Sequence, residues 1–227
     1  MNTSKKVLAS AIAASLAVSA LAPVANAEVS GSAAISSSYL WRGYELGSGT
    51  PVVSGSLDYS SEVGFYAGIW GSSGDTTAGT EYDLYAGYGN SVGDFSYDIG
   101  IISYIYPTGP FSETEGIGDF MEAIISLGYG PVSFTYHDNI AGSDGTEPEG
   151  SRYALSEDYS YMKLAATFGQ FGIAIGKHDK GAFDATHVDL SYSYNDNLTF
   201  TLSGIANSDA DTDPKPVFNV SYSIPIE

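Results

Sequence analysis

The chain has 227 residues with 27 acidic and 8 basic side chains, a formal charge of −19, and no cysteine. Without cysteine there is no disulfide framework, thiolate metal site or thiol nucleophile; without a basic patch, nucleic acid is excluded as a partner. The length accommodates one domain.

From the N-terminus, Lys5 and Lys6 open an apolar, alanine-rich stretch from Val7 to about Leu21, closed by Ala25-Asn26-Ala27. A basic start, an apolar core and a small-x-small cleavage site predict a secretory signal peptide over residues 1–27. The mature chain is then one unit over 28–227, and loss of the two lysines takes its formal charge to −21. The lack of cysteine suits an oxidising compartment. No later run reaches about 18 apolar residues, which excludes a membrane-spanning helix but not a barrel, whose strands need only about 9–11.

Beyond Glu28 the hydropathy alternates with a period of two, as strands with one apolar face do. In chain order the alternating segments are Val29–Trp41, Val53–Tyr59, Phe65–Trp70, Glu81–Tyr88, Phe95–Ile102, Met121–Tyr129, Val132–His137, Tyr161–Phe168, Phe171–Gly176, His187–Tyr194, Leu198–Ser203 and Phe218–Ile226. Connections after the even segments are short and rich in turn formers: Ser61–Gly64, Asn90–Asp94, Gly130-Pro131, Gly169-Gln170 and Asn195–Asn197. Those after the odd segments are longer, near residues 42–50, 72–80, 107–118, 138–158, 179–185 and 207–215. This alternation predicts an all-β fold: an antiparallel up-and-down transmembrane β-barrel of about 12 strands, with short periplasmic turns and long external loops. The even strand number puts both termini on the periplasmic side.

The two strand faces separate a membrane barrel from a soluble sandwich. Aromatics collect near segment ends on the apolar face: Tyr39, Trp41, Tyr59, Phe65, Tyr88, Phe95, Tyr129, Phe134, Phe168, Phe171, Tyr194 and Phe200. That placement is expected of interfacial girdles. The opposite face carries charge at mid-strand, at Asp83, Asp98, Glu122, Lys163 and Asp189, and also bears Tyr66, Trp70, Tyr85, Tyr104 and Tyr106.

The segment Ser38-Tyr39-Leu40-Trp41-Arg42-Gly43-Tyr44 resembles the aromatic-Arg-Gly signature near the start of the TorF porin family, which is also catalogued as a conserved proteobacterial family of unknown function. The resemblance continues in order through Gly55–Tyr59, Gly64–Ser72, Glu81–Tyr88, Tyr97–Gly100 and Tyr104–Pro107. It implies an outer-membrane β-barrel with a porin-like role and names no substrate. The chain departs from the usual barrel ending in an aromatic: it closes Tyr222-Ser223-Ile224-Pro225-Ile226-Glu227, and Pro225 cannot donate to a ladder.

The candidate pore-lining residues are Arg42, Asp58, Glu81, Asp83, Asp98, Glu122, His137, Lys163, His187 and Asp189. Carboxylates outnumber Arg42 and Lys163, and carboxylate rings in a narrow pore favour cations over anions. The expected function is passive diffusion of small solutes with weak cation selectivity. The alternative is a sealed structural or adhesive barrel, because an internal ion-pair network could fill a lumen of this size. Arg42, at the mouth of the first long loop, is expected to hold that loop against Glu81 or Asp83, or else to snorkel at the interface.

The long loops are acidic: Asp144, Glu147, Glu149, Glu157 and Asp158 in the fourth, and Asp209-Ala210-Asp211-Thr212-Asp213 in the sixth. The alternating aspartates resemble the start of a calcium loop but lack its later glycine and glutamate. No metal or cofactor is expected. The histidines His137, His178 and His187 form no H-E-x-x-H pattern, and no nucleophile elbow is present. Tyr136-His137-Asp138-Asn139 is the one cluster that suggests an outer-membrane hydrolase, a minor alternative; no enzyme is expected. The partners implied are outer-membrane lipid and lipopolysaccharide, the barrel-assembly machinery with periplasmic chaperones, and small solutes or cations. The expected location is the bacterial outer membrane.

Overall fold

A computed structural model describes residues 27–76, 79–108, 116–141, 159–179, 184–208, 215–224 and 226. The signal peptide over 1–27 therefore lies almost wholly outside the described residues. So do Asp144, Glu147, Glu149, Glu157, Asp158, the aspartates of 209–213, Pro225 and Glu227.

Twelve antiparallel strands close into a barrel in plain sequence order. They are β1 (Glu28–Ser36), β4 (Val52–Ser60), β5 (Phe65–Asp75), β6 (Gly79–Val92), β7 (Phe95–Ile105), β8 (Met121–Tyr129), β9 (Val132–Ala141), β10 (Ser160–Phe168), β11 (Phe171–Asp179), β12 (Ala185–Ser193), β13 (Leu198–Ser208) and β14 (Val217–Ile224). Two short strands, β2 (Leu40–Trp41) and β3 (Tyr44–Glu45), pair only with each other between β1 and β4. The seam is β1 against β14, where Ala33 to Ser36 face Ile224 to Ser221. Every strand of the barrel has a hydrogen-bonded neighbour on both sides, as a spanning sheet in lipid requires.

Side chains alternate across the wall as the sequence predicts. Outside, Ile99 is 58% and Leu164 52% exposed; inside, Asp98 is 8% and Glu122 0% exposed. An apolar outer belt with charge inside is the polarity of a transmembrane barrel. A dense aromatic girdle rings the end that carries the short turns, with Tyr59, Phe65, Phe95, Tyr129, Phe168, Phe171 and Tyr194 exposed. Neighbours within it touch, as Phe65 and Tyr88 do edge to face at 5.0 Å.

Three expectations about the strands are corrected. The first segment does not run to Trp41: its ladder with β4 ends at Ser36, opposite Val52. Tyr39 and Trp41 therefore leave the lipid face; Tyr39 is buried, and Trp41 packs inside against Tyr159 and Tyr161. The connection expected at 72–80 is shorter, because β5 runs on to Asp75 and β6 begins at Gly79. The turn at 90–94 shrinks to Gly93-Asp94, since Val92 still pairs with Phe95.

Candidate functional site

The site begins where β1 stops pairing with β4 and the chain turns into the lumen. Trp41 pairs with Tyr44 and Leu40 with Glu45, leaving Arg42-Gly43 as a two-residue turn. Both have positive φ, 45° at Arg42 and 92° at Gly43, as the tight primed hairpin turns require. Glycine accepts this freely, and arginine does not. Strain of this kind costs on the order of 1–3 kcal/mol and persists only where the surroundings over-determine it. Gly43 has a second constraint: a Cβ there would stand 2.6 Å from the Cβ of His187.

The contacts around its guanidinium hold Arg42 in this conformation. It grips Glu122 on β8 with both ends, donating to Oε1 at 2.9 Å and to Oε2 at 2.7 Å. It also donates to the Tyr159 hydroxyl at 3.0 Å. Its Cζ lies 4.5 Å from the Tyr161 ring centre and 4.8 Å from that of Trp41. Both charged groups of the ion pair are buried. Such a pair is tolerated because the fork geometry is good and the remaining oxygen lone pairs are used: Tyr104 donates to Glu122 Oε2 at 2.8 Å, and His137 Nδ1 lies 2.9 Å from the same oxygen. A carboxylate only accepts and a guanidinium only donates; Nδ1 also lies 3.0 Å from Arg42 Nη2, so it faces an acceptor and a donor at once.

The partners of the other two imidazoles set their roles. His178 Nε2 lies 2.8 Å from the Arg42 carbonyl and must donate to it, leaving Nδ1 to accept from Tyr159 at 2.8 Å. His187 Nδ1 donates to Asp189 Oδ1 at 3.0 Å, and its Nε2 accepts from Tyr161 at 2.9 Å. Ser203 donates to the same Asp189 oxygen at 2.5 Å. The hairpin is thus held by side chain and main chain together, and His178 and His187 are fully buried beneath it.

The opposite arc, β4 to β7, is built differently. Its strands contain no lysine, arginine or histidine. Asp58, Glu81, Asp83 and Asp98 face inward there, and all but Asp83 accept hydrogen bonds from phenols. Tyr39 and Tyr106 donate to Glu81, the latter at 3.0 Å. Tyr85 donates to Asp58, and Tyr66 donates to Asp98 Oδ1 at 3.0 Å. Asp83 Oδ1 and Asp98 Oδ2 are buried with no hydrogen-bond partner.

All ten candidate residues are on the inner side, Asp58, Lys163 and Asp189 half-buried and the others buried. The fold brings Arg42, Glu122 and His137 together, and His187 with Asp189. The expected partners of Arg42, Glu81 and Asp83, are corrected to Glu122: the hairpin crosses to the β8–β12 side, where Gly43 meets His187. Snorkelling is likewise corrected, since Arg42 is buried. The Tyr136-His137-Asp138 cluster is split by the wall, with Tyr136 donating to Asp138 outside and His137 buried inside. Sequence reasoning passed over His178, Tyr159 and Tyr161. His178 extends the inward series Ala174, Gly176, and that parity could have found it. Nothing in the alternation marks Tyr159, which precedes β10. Among the described residues, no group of three or more histidine, cysteine or acidic side chains could hold a metal ion.

A family profile described as "Bacterial protein of unknown function (Gcw_chp)" matches residues 20–213. No curated protein matches. Among solved structures, the chain is similar to the KdgM porin, at 9% identity and a TM-score of 0.48, over 88% of this chain and 100% of that one. It is also similar to OccK10 (OpdN) of Pseudomonas aeruginosa, at 12% identity and a TM-score of 0.38, over 78% and 62%. OccAB2 of Acinetobacter baumannii scores 0.36 at 12% identity, over 80% and 56%.

Proposed function

The chain belongs to the Gcw_chp family of bacterial proteins of unknown function, and we propose that it is a porin-like channel of the bacterial outer membrane, narrow and weakly cation-selective. The observation that carries this reading is the polarity of the wall, apolar outside and charged within. Aqueous proteins do not expose so continuous an apolar belt. The β2–β3 hairpin is the constriction. Past it, the unbalanced carboxylates are those of β4–β7, and they set the preference for cations. Export follows cleavage of residues 1–27, and the aromatic-Arg-Gly segment at 38–44 supports placing the chain with the TorF porins. Lipopolysaccharide and the barrel-assembly machinery are the partners this location entails.

The test is single-channel recording in planar bilayers across a potassium chloride gradient. Small steps with a cation-selective reversal potential are expected. Selectivity for chloride would refute the carboxylate account. A second reading, a sealed barrel, is favoured by the complete burial of Glu122, His178 and His187 under the hairpin. It is chosen if neither the native barrel nor one with residues 38–46 replaced by a short glycine-serine link conducts. Recovery in the periplasmic fraction, with no gel shift on boiling, would defeat both.

A further inference from the structure

Below the hairpin, on the β4–β7 arc, two tyrosines lie flat against the wall. Tyr66 on β5 faces Gly87 on β6, and Gly68 on β5 faces Tyr85 on β6. Each ring lies across the glycine paired with its own residue, so the two run side by side in opposite directions. A Cβ at Gly68 would stand 2.5–2.7 Å from the hydroxyl and two ring carbons of Tyr85. A Cβ at Gly87 would stand 2.3 Å from the Tyr66 hydroxyl, and one at Gly100 on β7 2.6 Å from it. One face of each ring is therefore pressed on backbone. The rings are only half-buried, so the other face is turned to the lumen.

Each ring ends on a carboxylate. Tyr85 reaches β4 and donates to Asp58, whose second oxygen accepts from Ser56 at 2.6 Å. Tyr66 reaches β7 and donates to Asp98 Oδ1, while Asp98 Oδ2 is buried and unpartnered. The result is an aromatic pavement four strands wide, with a carboxylate at both ends and no base on its strands. Phenol donors leave the carboxylate charge uncompensated, and a carboxylate at its hydroxyl makes a ring face more electron-rich.

We propose that this pavement is a binding site for small organic cations of the alkylammonium class. Such ions combine a diffuse positive charge with an apolar shell, which suits an aromatic face flanked by carboxylates. Small inorganic cations keep their water and gain little from a ring. The inference rests on the channel reading only in naming what is selected from the mixture of cations.

The experiment is calorimetric titration of tetramethylammonium chloride into the folded mature barrel in detergent, at constant ionic strength. Saturable binding is expected, with equimolar sodium a poor competitor. Asp58→Asn with Asp98→Asn, near-isosteric changes, should weaken it by about tenfold or more. Tyr66→Leu with Tyr85→Leu should abolish it. Heat-modifiable gel mobility checks folding, and if the leucine pair does not fold, the asparagine pair decides. Absence of saturable binding, equal competition by sodium, or full affinity in the asparagine pair would each overturn the site. The titration needs no open pore. A barrel that binds the probe and passes no current refutes the channel alone, and a conducting barrel that ignores the probe refutes the site alone.

Discussion

The two arcs of the lumen solve the same problem with different donors. On β8–β12, Glu122 and Asp189 face Arg42, Lys163 and the imidazoles, so formal charge balances across the contacts. On β4–β7, Asp58, Glu81 and Asp98 are met by the hydroxyls of Tyr39, Tyr66, Tyr85 and Tyr106, and Asp83 by none of them. Both kinds of donor satisfy oxygen lone pairs, but only the first cancels charge. A balanced arc can be packed tightly and serve as an anchor, and the hairpin docks there. An unbalanced arc leaves a negative field in the lumen. The difference teaches that hydrogen-bond satisfaction and charge compensation are separate variables, and that one barrel wall can use them for separate tasks.

The comparison breaks most visibly at Glu122. Glu122→Ala strands a buried guanidinium on a strained turn and is expected to cost about 3–5 kcal/mol. Asp83→Asn on the other arc removes a buried carboxyl group that no base balances, and it should leave stability unchanged or slightly higher. Urea unfolding of the two variants in lipid vesicles measures the contrast; equal losses would show that the arcs do not differ.

Outside the wall the arcs should be alike. Ile99→Arg on β7 and Leu164→Arg on β10 both put a cation into the apolar belt, at about 2–4 kcal/mol each by the same unfolding measurement. A cost confined to one of them would mean that the other strand does not face lipid.

Steric fit should separate the anchored cluster from the rest of its own arc, at about 1–3 kcal/mol. Gly176→Ala places a Cβ 2.1 Å from His187 Nε2 and 2.5 Å from the Tyr161 hydroxyl, inside the anchored cluster. Gly128→Ala meets only the rotatable hydroxyl of Ser96 and should be milder. The smallest effect is on selectivity: Asp58→Asn, Asp83→Asn and Asp98→Asn together should lower the potassium-to-chloride permeability ratio about two- to fivefold. Lys163→Gln should raise it slightly.

Much of the fold was legible because strand periodicity is local. Lipid on one side and water or packed polar groups on the other impose a period of two on every strand, and the sites of Asp83, Asp98, Glu122 and Lys163 follow from parity alone. The short turns were legible from Gly130-Pro131 and Gly169-Gln170. The first hairpin was not: from Val29 to Trp41 the alternation runs on unbroken, and Tyr39 and Trp41 mimic a girdle. Only the pairing partner decides, and Val52 is the last residue of β4 able to pair with β1. The flat tyrosines were missed for a related reason. Gly68 and Gly87 read as ordinary small inward residues until the register sets each beneath a ring of the adjoining strand.

By itself the sequence determined the barrel, its strand number and which side chains look inward, because each depends on neighbours two residues apart. It also determined the imbalance of charge along β4–β7, which needs only a count of residue types. The tertiary structure alone decided that Arg42 meets Glu122 rather than Glu81 or Asp83. That choice joins residues 80 positions apart, and it depends on which arc a short hairpin reaches when a positive-φ turn aims it across a closed lumen.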